Sequence, residues 1–136
     1  MSNLNTEEII DDLSFFDDWE ERYKYIIDLG RELPAMAPEL HTDDRLVKGC
    51  QSSVWLESQV NNGVYDFVVD SDAVIVRGLL ALVLAAYNHK SAAEITSFDI
   101  DNYFTTLDLE RHLSPTRGNG LRAIVGKIRA MAKQAL

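Results

Sequence analysis

Cys50 is the only thiol in the chain, and it stands in the stretch Lys48-Gly49-Cys50-Gln51-Ser52-Ser53-Val54-Trp55. A cysteine attacks as its thiolate, which needs partial access to solvent and nearby cations or N–H donors. Lys48 supplies a cation. A glycine-containing turn supplies backbone N–H groups, and the missing Cβ of Gly49 opens backbone angles closed to other residues. A structural thiol sits instead among aliphatic neighbours as a small hydrophobe, and Gln51-Ser52-Ser53 is not such a setting. From this stretch alone two readings stand, a working thiol in a tight loop and an inert one.

Few other residues are placed to do chemistry. A cysteine hydrolase would pair Cys50 with a histidine, for which His41 and His112 are the candidates, but no nucleophile elbow or protease signature surrounds the cysteine. His41 falls between Pro34 and Asp44, a stretch with two prolines and no sustained period, and reads as an exposed loop histidine. No second histidine follows at metal-ligand spacing, and there is no Cys-x-x-Cys or Cys/His cluster. Arg117 is a cation on a polar, glycine-flanked turn, Leu113-Ser114-Pro115-Thr116-Arg117-Gly118-Asn119-Gly120. Its plain alternative is a salt bridge to the acidic part of the chain. Gly118-Asn119-Gly120 lacks the preceding strand and the G-x-x-x-x-G-K-[ST] pattern of a phosphate loop, so these glycines read as sites of close packing.

The elements that must position these residues follow from composition and pattern. A chain of 136 residues, 46% of them hydrophobic, fits one domain over residues 1–136 with a core of its own. One cysteine excludes an internal disulfide, and no basic n-region precedes an apolar h-region at the N-terminus, which predicts a reducing, cytoplasmic setting. The net charge of −9 argues against general binding of nucleic acid. All 22 acidic residues lie at or before Glu110 and six of the 13 basic ones after it, so the last 26 residues carry +6 and the first 110 carry −15. On an amphipathic helix this asymmetry predicts pairing with the acidic body, or a basic partner protein for it.

Asn5 and Glu8 form a capping-box-like start for a helix ending near Asp17, and a second helix carries Trp19, Tyr23, Ile26, Ile27 and Gly30 to Leu33-Pro34. The clearest β signal is a hairpin: Val54, Leu56 and Val60 alternate with Trp55, Glu57 and Gln59 before Asn61-Asn62-Gly63, and Tyr65, Phe67 and Val69 with Asp66, Val68 and Asp70 after it. An Asn62-Gly63 turn pairs Val60 with Tyr65, Ser58 with Phe67 and Leu56 with Val69, the register the alternation also selects. It puts Trp55 opposite Asp70 on the other face, either under a helix or on a docking surface. Asp70-Ser71-Asp72 places acid at the start of a helix that is apolar or small from Gly78 to Tyr87, too short to span a membrane. Ser91 to Glu94 is a capping box, Asp99 or Asp101 starts another helix, and a last one carries Leu121, Ile124, Val125, Ile128, Met131 and Ala135 on one face.

Three blocks together resemble the SufE family of sulfur-acceptor proteins, which includes the close relative CsdE: Val47-Lys48-Gly49-Cys50-Gln51-Ser52-Ser53-Val54-Trp55, Ser71-Asp72-Ala73 with Ile75-Val76-Arg77-Gly78-Leu79, and Leu113-Ser114-Pro115-Thr116-Arg117 with Gly120-Leu121. Trp19, Tyr23 and Leu33-Pro34 are similar to the family's N-terminal half, so the resemblance spans nearly the whole chain. It implies an α+β fold, an antiparallel sheet with a central hairpin packed by helices, similar to the scaffold protein IscU. It further implies that Cys50 takes persulfide sulfur from a PLP-dependent cysteine desulfurase of the SufS or CsdA kind and stimulates that enzyme. PLP belongs to the partner, and this chain needs no cofactor or metal of its own. The sulfur passes to an iron–sulfur scaffold or other acceptor. In this reading Lys48, Gly49, Gln51 and Ser52 form the acceptor loop, which shelters the sulfur in the free protein, while Arg117, Trp55 and Asp72 support it or touch the partner. A homodimer is compatible; nucleic acid and membrane are not implied. The other classes to weigh are an interaction or scaffold domain with an incidental thiol, and a small cysteine hydrolase.

Overall fold

The Asn62-Gly63 turn organises the sheet. Both residues have positive φ, 53° and 78°, as a two-residue turn matching the right-handed twist of a hairpin requires. In the computed structural model, which describes residues 5–49 and 52–135, the turn joins β1 (Val54–Asn61) to β2 (Val64–Ser71). The register is the expected one, with Val60 opposite Tyr65, Leu56 opposite Val69 and Trp55 opposite Asp70. A third strand, β3 (Lys90–Ser91), which the sequence pattern does not announce, pairs antiparallel with the start of β2 and gives the order β1-β2-β3. His89 makes this possible: at φ 62° it turns the chain out of the preceding helix, and its N–H donates to the Tyr65 carbonyl at 2.8 Å.

Helices supply the rest of the core, so the architecture is α+β. Asn5 caps α1 (Thr6–Ser14) by accepting from the Glu8 N–H, and α1 ends three residues short of Asp17. Asp18, one residue beyond Asp17, caps α2 (Trp19–Arg31). Tyr25 ties the pair together through its hydroxyl, which donates to Asp12 at 2.7 Å. α3 (Val74–Tyr87) is buried on nearly every side, as its apolar run requires, with Leu80, Leu82, Val83 and Tyr87 at 0% exposure. It crosses α2 at two glycines: a Cβ on Gly30 would stand 2.5 Å from the Gly78 nitrogen, and one on Gly78 would run into the Ile26 carbonyl.

After β3, α4 (Ala92–Ser97) opens with a complete Ser91–Glu94 capping box, and α5 (Ile100–Thr106) is capped by Asp99. The Ser91 backbone N–H, donating to the Glu94 carboxylate, holds that carboxyl below its usual range. A short α6 (Leu109–His112) precedes α7 (Pro115–Gln134). Ser114 caps α7 and Pro115 occupies its first position, so Gly118-Asn119-Gly120 is not the polar turn the residues suggest but the second turn of a helix. The buried face of α7 is Leu121, Ile124, Val125, Ile128 and Ala132, whereas Ala135 is exposed. On its basic side Arg122 meets Asp101 at 3.4 Å, and Arg129 donates to the Phe98 and Thr96 carbonyls. No helix among the described residues is long and apolar enough to cross a membrane.

Candidate functional site

Cys50 and Gln51 lie outside the described residues, and of His112 only the backbone is described. What is on view is how the chain delivers them. The Val47 N–H donates to the Val54 carbonyl at 2.8 Å, and Leu46 bridges antiparallel to Trp55. The segment from Lys48 to Ser53 thus leaves the sheet edge and returns to it within six residues. Lys48 and Gly49 are exposed. Gly49 has φ +95°, a region L side chains rarely adopt, and a Cβ there would stand 3.2 Å from the Ala123 Cβ of α7. That backbone conformation is one a glycine adopts without steric cost.

Asp72 pins the returning end. Its Oδ1 accepts from the Ser53 N–H at 3.2 Å, and its own N–H donates to the Ser53 carbonyl at 3.3 Å. The sequence alone places this aspartate at a helix start, where acid favours the macrodipole. In the fold, α3 takes Ala73 as its N-cap with no side-chain bond, and Ser71 Oγ accepts from the Ala73 N–H. Asp72 serves the loop instead, because its exposed carboxylate reaches a backbone donor that the end of the ladder leaves unpaired.

Beside this segment lies a cavity of about 80 Å³ lined by Ser52, Val54, Val76, Leu79, Thr116, Arg117, Gly120, Leu121 and Ile124. It joins the returning end of the loop to α3 and the first turns of α7. Ser52 and Arg117, expected at one site, are brought together here. Arg117 is exposed, and its backbone N–H donates to the capping Ser114. Its guanidinium pairs with no acidic residue among the described ones, so the salt-bridge alternative is not realised there. Thr116, Val76 and Gly120 carry no chemical signal of their own in the sequence. All three fall within the blocks that carry the resemblance, which is the signal that could have found them.

Trp55 lies on the other face of the sheet, away from the cavity. It does not stand free: His41 packs edge-on against it, with ring centroids 4.6 Å apart and an interplanar angle of 69°. His41 is therefore not the exposed loop histidine expected. Its Nε2 lies 2.7 Å from Asp70 Oδ2. Engaged in this way, it is occupied by a carboxylate and a ring. Among the described residues no group of three or more His, Cys, Asp or Glu side chains could hold a metal ion.

The geometry is that of an α+β domain with a segment at the sheet edge tied on both sides, Val47 to Val54 and Ser53 to Asp72, and comparison with known proteins identifies the kind. The family model described as SufE, Fe-S metabolism associated domain, matches residues 7–132. Two curated relatives agree: an uncharacterized SufE-like protein of Rhizobium etli, 47% identical with 93% of this chain and 88% of the relative covered, and one of Rhizobium meliloti, 43% identical with 96% of each covered. The solution structure of a hypothetical protein from Thermus thermophilus superposes with a TM-score of 0.77 over 96% of this chain and 94% of that one. At 17% identity it speaks for the fold alone. The chain belongs to the SufE family, and its domain is one associated with Fe–S metabolism.

Proposed function

We propose that this protein is a sulfur carrier: Cys50 takes sulfane sulfur from a PLP-dependent cysteine desulfurase and hands it on for iron–sulfur cluster assembly. The observation that supports this best is the delivery of the chain's one thiol on a segment tied at both ends, Val47 to Val54 and Ser53 to Asp72, beside a small cavity rimmed by Ser52 and Arg117. Such a mounting suits a thiol that must be offered to one large partner and withheld from small reductants.

The transfer balances without an added oxidant or reductant. The Cys50 thiolate attacks the outer sulfur of the desulfurase's cysteine persulfide, forming one S–S bond and breaking another. The desulfurase cysteine leaves as a thiolate and takes up a proton, and Cys50 becomes Cys50-S-SH. A second thiol nearby would resolve that persulfide into a disulfide and release sulfide, so a chain with a single cysteine is suited to carrying the sulfur onward. The same persulfide fits a reducing cytoplasm, where no competing disulfide traps the thiol. Arg117, exposed at the cavity rim, offers a cation to the partner or to the anionic persulfide. PLP stays with the desulfurase.

The test is desulfurase turnover. Alanine release from cysteine by a purified desulfurase should rise on adding wild-type protein and stay at its basal value with Cys50→Ser. Equal stimulation by both would favour an interaction domain with an incidental thiol.

A further inference from the structure

β2 uses its two edges unequally. Asn61 and Val64 face each other across the turn, and the Asp72 N–H reaches the Ser53 carbonyl at 3.3 Å. The even-numbered residues of the strand therefore turn their backbone groups toward β1, and the odd-numbered Tyr65, Phe67, Val69 and Ser71 turn theirs to the opposite edge. Three different devices close parts of that edge. The Tyr65 carbonyl accepts from the His89 N–H, the Phe67 N–H donates to Asn88 Oδ1, and the Ser71 N–H donates to Oδ1 of the neighbouring Asp70, each at 2.8 Å. β3 itself pairs only with Val64 and Tyr65. The Phe67 carbonyl and both the N–H and the carbonyl of Val69 are left with no hydrogen bond among the described residues. Phe67 and Val69 are only 3% and 2% exposed, and buried backbone groups without a partner are rare, because they give up water and gain nothing in return.

A cavity of about 440 Å³ lies against this stretch and is lined by four successive residues of β2, Asp66 to Val69. Side chains alternate between the faces of a strand, so a cavity touching four in a row runs along the strand's edge. Ala81, Leu84 and Ala85 of α3 line its helical side, and Leu33 and Pro34 close it beyond α2. The two alanines leave the room. On the rim stands Glu32, exposed and without an ion pair among the described residues. The other acid there, Asp66, is taken by His89.

We propose that this groove takes an extended peptide of a partner protein, added to β2 in line with β3, with apolar side chains in the cavity and a lysine or arginine facing Glu32. The peptide residue opposite Val69 exchanges two bonds with it, N–H to carbonyl in each direction, and the residue two further on donates to the Phe67 carbonyl. One extended chain thus satisfies all three groups, in the way Lys90–Ser91 extends the sheet beside Tyr65. The charge of −15 on the first 110 residues draws a basic segment rather than an acidic one. Lys90 at the β3 end of the rim confines the basic residue to the α2 side. None of this depends on Cys50 or on the sulfur-carrier reading.

Amide exchange followed by NMR reads the edge residue by residue. A blocked seven-residue peptide of alternating lysine and valine, at about 1 mM, should slow exchange of the Val69 amide about tenfold and leave that of Val68, already bonded to β1, unchanged. Residues whose side chains enter the cavity are those whose N–H groups face β2. Methylating the valine nitrogens should therefore abolish the effect, and methylating the lysine nitrogens should spare it. Glu32→Lys, which places a cation where the α2 dipole favours one, should weaken binding about threefold, the scale of an exposed ion pair. Ala85→Leu, which fills the groove, should abolish it. No slowing at Val69, or equal binding by the two methylated peptides, overturns strand addition. Unchanged affinity in Glu32→Lys overturns the basic preference. Protection of Val69 that grows with protein concentration alone, with a doubled mass in sedimentation, makes a second copy the occupant and overturns the partner peptide.

Discussion

Asp72 and Ser53 hold each other twice, backbone N–H to carbonyl at 3.3 Å in one direction and backbone N–H to Asp72 Oδ1 at 3.2 Å in the other. The first bond extends the β1–β2 ladder one step past Val54 and Ser71. The second substitutes a side chain for the carbonyl, because the Asp72 backbone is already turning into α3. The acceptor segment is therefore tethered to the start of the most buried helix in the fold.

Asp72→Ala removes the side-chain half of that tether and leaves an exposed Ser53 N–H that water can satisfy. The stability loss should be about 1 kcal/mol or less. Alkylation of Cys50 by a bulky reagent should speed up several-fold, timed by mass spectrometry under native conditions. An unchanged rate would mean the tether does not restrain the segment.

Gly49→Val places a β-branched side chain at φ +95° and 3.2 Å from the Ala123 Cβ. Backbone strain of this kind costs about 1–3 kcal/mol. A variant that stays folded by circular dichroism, melts a few degrees lower and takes up sulfur more slowly is the expected result. Wild-type uptake would show that the joint need not be permissive.

Arg117 sits in the first turn of α7, where a cation opposes the helix macrodipole, and it is exposed without an ion pair to a described residue. Arg117→Ala should leave the melting temperature within about 2 °C, the span of a surface change of under about 0.5 kcal/mol. Uptake should slow by roughly tenfold, the scale of one lost charged contact with a partner. A lower melting temperature with normal uptake would assign Arg117 to the fold instead.

Two glycines in helices should respond oppositely to alanine. At Gly78 the new Cβ meets the Ile26 carbonyl, and the α2–α3 crossing cannot give way cheaply, so a loss of about 3 kcal/mol or more is expected in urea unfolding. At Gly118 a Cβ meets nothing within 4 Å, and relief of glycine's helix penalty should add about 0.5–1 kcal/mol. Equal effects at the two positions would contradict the packing described.

What the sequence made legible was what neighbouring residues decide. The hairpin register followed because the Asn62-Gly63 turn and the apolar alternation select the same pairs, and the Ser91–Glu94 box because both partners lie within one turn. What it hid depends on distant chain. β3 exists only because His89 turns back to the Tyr65 carbonyl. Asp72 looked like a helix-start acid because the Ser53 donor that claims it lies 19 residues earlier. His41 looked like a free loop residue because Asp70 lies 29 residues away and no periodicity links them. Of the candidate site, Ser52, Arg117 and Asp72 do gather near the acceptor segment, while Trp55 faces a histidine on the opposite side of the sheet.

The central claim, that Cys50 is the sulfur carrier, is tested most directly by peptide-level mass spectrometry without reductant. After incubation with a cysteine desulfurase, PLP and cysteine, the peptide spanning Gly49 to Val54 should gain about 32 Da, one sulfur atom, in wild type, and the Cys50→Ser protein should gain none. The same gain in Cys50→Ser, or no gain in wild type with a desulfurase shown to bear its own persulfide, would contradict the account.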